Sequence, residues 1–191
     1  MELLITISSI ALTLYVAFYF RLWRLEWKEI RVSLDDSKSH DIRARLAKAL
    51  KTCEPGFPDL RVEMIRFIIL KTKEYHMATL YNPLRKKQII YVAKSARKMP
   101  IEALAGCLAH EMVHLVEDEQ KNLLTFPFTT ISGFRRDETE SERNIDTQVV
   151  NRGFGEHLIA FQKWANQHYK KYSKKDGLTI NEIRVMLKES D

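Results

Sequence analysis

The hydrophobic pattern changes character along the chain. Leu3 to Phe20 is an apolar run with no charged side chain. Its length is that of a bilayer-spanning helix. Arg21, Trp23, Arg24, Trp27 and Lys28 follow it, an interfacial aromatic and basic collar. A cleaved signal peptide would carry positive charge before the run and small residues at its end. Glu2 precedes the run instead, and Phe18-Tyr19-Phe20 closes it. The pattern predicts a membrane anchor over 1–28. With the collar after the span, the rest of the chain is expected in the cytoplasm, on a single-pass protein of the cell membrane. Residues 29–40 are polar and mixed in sign, and read as a linker.

From Asp41 to Thr52, Ile42, Ala44, Leu46, Ala49 and Leu50 alternate with basic residues, an amphipathic helix. Glu54-Pro-Gly-Phe-Pro-Asp59 ends it. Leu60 to Lys71, Tyr75 to Tyr81 and Gln88 to Ala93 are rich in β-formers, and the last two flank a polar turn over 82–87. They predict a small antiparallel or mixed sheet. Pro100 to Asp118 then reads as one helix, with proline in its first turn and Ile101, Leu104, Leu108, Met112 and Leu115 as its buried stripe. Residues 122–134 are apolar but interrupted by Pro127 and Gly133, and too short to span a bilayer. Arg135 to Arg152 and Glu156 to Tyr172 are further helices, separated by Gly153 and Gly155. Near the end, Thr179 with Glu182 three residues on forms the signature of a helix start. The fold class expected is α+β, with one compact domain over 41–191.

Composition adds little. The formal charge of +6 favours an anionic neighbour, a lipid headgroup layer or nucleic acid. The basic run Lys170 to Lys175 reads as a solvated face, so no nucleic-acid partner is expected. The 2 cysteines, Cys53 and Cys107, form no CxxC motif or disulfide framework and read as small apolar residues in a reducing compartment. Nothing in the sequence fixes an oligomeric state.

The chemistry lies in His110-Glu111-Met112-Val113-His114. Residues four apart on a helix share a face, so the two imidazoles project together. At that separation they can hold one zinc ion, with Glu111 in reach of a water beside it. A hydrolytic zinc site needs a third protein ligand. Asp118 is too far along the helix axis, and no histidine occurs between His114 and His157. The third ligand is therefore expected among Asp137, Glu138, Glu140 and Glu142. Glu142 shares a face with Ile145, Asp146 and Val149, which turns inward, whereas Glu140 shares one with Asn144, Thr147 and Gln148. Spacing favours Glu142. Glu138 shares its face one turn earlier, near the helix start. Asp146 is placed to accept the far ring N–H of a metal-bound histidine.

His110 to His114, followed by Glu142-Arg-Asn-Ile-Asp146, resembles the gluzincin pattern, HExxH then ExxxD. The wording around it is similar to the CAAX prenyl protease and HtpX-like membrane metallopeptidases, and the compact size to the minigluzincins. The resemblance implies a zincin-like domain with a small sheet packed on the motif helix and a glutamate helix. It implies Zn2+ held by His110, His114 and Glu142, with Glu111 as general base and Asp146 behind the ligands. The activity implied is a membrane-anchored zinc metalloendopeptidase, cleaving peptides by glutamate-assisted attack of zinc-bound water. HtpX-like enzymes carry further transmembrane helices after the motif; this chain has only the interrupted Leu123–Phe134 segment there, so burial of several helices in a membrane is not expected. An extended substrate would pair with a free strand edge, with Tyr75 to Tyr81 a candidate. Arg152, His157 or a nearby tyrosine would be the second oxyanion donor. The alternative is a latent or non-catalytic membrane-tethered zinc-binding protein, its cleft occluded by its own 119–134 loop.

Overall fold

A computed structural model describes residues 40–70, 76–82, 87–120, 138–168 and 177–189, together with isolated positions before residue 21. The elements in order are α1 (His40–Cys53), β1 (Ile65–Leu70), β2 (Met77–Asn82), β3 (Lys87–Ala93), α2 (Ile101–Glu119), α3 (Glu138–Val149), α4 (Gly155–His168) and α5 (Ile180–Glu189). The described chain is mostly helical, around a three-stranded sheet.

Two expectations are corrected. Among the described residues no helix is long and apolar enough to cross a membrane. The amino-terminal transmembrane helix, and the single-pass membrane location built on it, are therefore not supported. Most of 1–28 and of the linker 29–40 lies outside the described residues, as do the interrupted apolar segment over 122–134 and the basic run. Of the two sheet arrangements expected, the mixed one is found. Its order is β1-β3-β2, with β1 parallel to β3 and β2 antiparallel to it.

The two-residue period of β3 explains the layering. Ile90 and Val92 enter the main core, while Ile89 and Tyr91 pack with Ile68 on the opposite face. β1 is shorter than the apolar run suggests, because Val62–Met64 closes into a 3-10 turn first.

α2 is buried nearly all round, beyond the single stripe its sequence indicates. The small residues Ala103, Ala105, Gly106 and Ala109 let neighbouring elements approach its other sides. Gly106 marks the closest approach, since a Cβ there would collide with the His157 carbonyl of α4. α1, β2 and α3 also pack on α2. Between α3 and α4 the chain turns at Gly153, whose φ of 88° is a conformation that glycine adopts at no steric cost. Arg152 secures that corner: its guanidinium pairs with Asp59 at 2.7 and 2.9 Å and donates to Gly56 O at 2.8 Å. It also lies 4.7 Å above the Phe57 ring.

Candidate metal centre

Between Ala103 and Val116 of α2, two side chains keep partial access to solvent. His110 and His114 are 17% and 27% exposed, one turn apart on the face that α3 crosses. α3 turns Ile145 and Val149 into the core. That rotation carries Glu142 towards the histidines, while Glu140 is exposed. Asp137 lies outside the described residues, and nothing is described of the Glu138 side chain.

The donor atoms converge. His110 Nε2 and His114 Nε2 are 3.3 Å apart. Glu142 Oε2 is 3.0 Å from His110 Nε2, and its Oε1 is 3.7 Å from His114 Nε2. Two nitrogens bound at 2.0–2.1 Å to a tetrahedral ion would be about 3.3 Å apart, so the spacing fits one ion held between them. Among the described residues no fourth histidine, cysteine or carboxylate joins this group. The three side chains can hold a metal ion.

Asp146 stands behind His110. Its Oδ1 is 2.9 Å from His110 Nδ1 and its Oδ2 is 2.8 Å from the Leu178 N–H. A carboxylate only accepts, so the ring donates from Nδ1 and directs Nε2 at the other donors.

The electrostatics express a shortage of positive charge. Burial works against a charged His110, but the hydrogen bonds to Asp146 and Glu142 outweigh it and push its pKa up to about 10. Burial and the neighbouring His110 cation hold the His114 pKa down. The Glu142 pKa is also held down: burial would raise it, and the hydrogen bond to His110 together with the charges of His110 and His114 outweighs burial. Glu111 is buried, and desolvation raises its pKa to about 7, against the opposing charge of His110. Three carboxylates around one proton-bearing imidazole form an environment that a divalent cation would suit.

Arg152 and His157, named from the sequence as oxyanion donors, make other contacts. Arg152 is engaged with Asp59 and Gly56. His157 packs edge-on to Phe154 at 5.8 Å. The contact that sequence reasoning did not reach is the Leu178 N–H on Asp146. Its only local signal is the Thr179–Glu182 helix start, which forms as expected: Thr179 Oγ1 accepts from Glu182 N at 3.3 Å, and Glu182 Oε2 accepts from Thr179 N at 2.7 Å. No family model, curated protein or solved structure matches this chain.

Proposed function

We propose that this chain is a zinc-dependent metalloendopeptidase of the gluzincin type. The observation that carries the reading is the convergence of His110 Nε2, His114 Nε2 and the Glu142 carboxylate, with the buried Glu111 on the same turn of α2. A zinc ion held there would supply Lewis acidity, polarising a carbonyl and making water more acidic. His110, His114 and Glu142 bind and orient. Asp146 keeps the proton on His110 Nδ1, so that Nε2 remains the ligating atom. Glu111, with a carboxyl poised near neutrality, takes a proton from the attacking water on its Oε and returns it to the leaving amine. β2 is an edge strand in the described sheet and packs against α2, which supports addition of an extended peptide along it.

The test is metal analysis with a casein-cleavage assay on the full chain and on Glu111→Ala. The expected result is near-stoichiometric zinc in both and turnover only in the parent chain. Cleavage that persists in Glu111→Ala would refute its role as base.

A further inference from the structure

We propose that the Gly177–Leu178 backbone is a positioning element of the metal centre, setting the Asp146 carboxylate that in turn sets His110. The proposal rests on the reading of His110 as a metal ligand. Asp146 is 4% exposed and both of its oxygens are committed, one to His110 Nδ1 and the other to the Leu178 N–H. The carboxylate therefore cannot rotate without giving up a buried hydrogen bond. Gly177 makes the approach sterically feasible, because a Cβ there would collide with Asp146 Oδ2.

This short turn is held by side chains of the ligand-bearing helix and its neighbour. Gln162 on α4 donates to the Leu178 carbonyl at 2.8 Å in a buried hydrogen bond. Arg143, adjacent to Glu142, donates to the Gly177 carbonyl at 3.3 Å. The same guanidinium grips Glu182 at 2.6 and 3.3 Å, which fixes the start of α5. Simple docking of α5 could rest on its apolar side, where Ile183 is fully buried. The hydrogen bonds at 177–178 add something different. They place one N–H against the carboxylate behind His110, and orientation of such an outer carboxylate is worth about 10- to 100-fold in metal affinity.

The experiment uses the full chain, Gly177→Ala and Glu182→Gln. The second variant keeps an acceptor for the Thr179 N–H and removes the charge facing Arg143. Two quantities are read: the ring N–H resonance of His110 in metal-free protein, and zinc affinity by competition with a chromophoric chelator. In the parent chain and Glu182→Gln, a downfield, slowly exchanging Nδ1 proton is expected. In Gly177→Ala that signal should move upfield or be lost, and zinc affinity should fall about 10- to 100-fold. Glu182→Gln should bind zinc within about twofold of the parent, since it leaves the Asp146 contacts in place. An unchanged ring signal and zinc affinity in Gly177→Ala would overturn the proposal. If Gly177→Ala does not fold, Gln162→Met, which releases the Leu178 carbonyl, is read in the same way. A parent chain with the hydrogen-bonded ring proton but no zinc binding would remove the hydrolase reading and leave the Leu178–Asp146–His110 relay standing.

Discussion

Replacing Asp146 by asparagine changes one terminal atom and leaves the shape of the side chain almost intact. In the parent chain, both oxygens accept from buried donors, His110 Nδ1–H at 2.9 Å and Leu178 N–H at 2.8 Å. Asparagine has one acceptor oxygen and one NH2 group. With NH2 towards Leu178, one buried N–H loses its acceptor, at a cost of about 1–3 kcal/mol. With NH2 towards His110, the ring must give up its Nδ1 proton to accept from the amide. Either way the charge-assisted bond to His110, worth about 1.5–3 kcal/mol, is weakened or lost. The expected loss is about 3–5 kcal/mol in the metal-free protein, the range for breaking one side of a buried ionic pair. Urea unfolding at neutral pH measures it as a fall in the midpoint with an unchanged slope. Zinc affinity should fall about 10- to 100-fold in parallel, because His110 is released from its ring orientation. A loss of stability below about 1 kcal/mol, with zinc affinity unaltered, would refute the claim that both oxygens are in use.

Glu142→Ala should lower the zinc retained after dialysis far more than Glu140→Ala, whose side chain is exposed; equal metal content in the two variants would show the third ligand to be misassigned. His76 is buried beside Phe161 and Trp164, and burial, reinforced by the charge of His168, lowers its pKa to about 4. The folded state therefore takes up this proton later than the unfolded state, so stability is whole above about pH 6.5 and declines as pH falls towards 4, by about 3 kcal/mol in all. His76→Phe should flatten that part of the acid-unfolding profile; a profile parallel to that of the parent chain would contradict the assignment.

Much of the candidate metal site was legible because it is written in helical spacing. The start of α2 at Pro100, the common face of His110 and His114, and the inward face shared by Glu142, Ile145, Asp146 and Val149 each follow from local period. The Thr179–Glu182 start of α5 is equally local. The parallel pairing of β1 with β3 was not legible, because apolar alternation gives the faces of a strand and not its neighbour or direction. Burial round all sides of α2 depends on four other elements, and only the small residues near Gly106 hint at it. The approach of Leu178 to Asp146 spans 32 positions and leaves no periodic trace. The apolar run after Glu2 has the composition of a span, yet among the described residues no helix is long and apolar enough to cross a membrane.

The strand order also sets a sequence of events during synthesis. β1 leaves the ribosome first, but the strand it pairs with ends at Ala93, and β2 emerges between them. The β2–β3 hairpin can close locally within microseconds, whereas β1 must wait, its backbone groups open to other chains. A nascent chain stalled before Ala93 would present Ile65 to Leu70 as an adhesive edge, so crowded translation of this protein places a premium on prompt completion of the third strand.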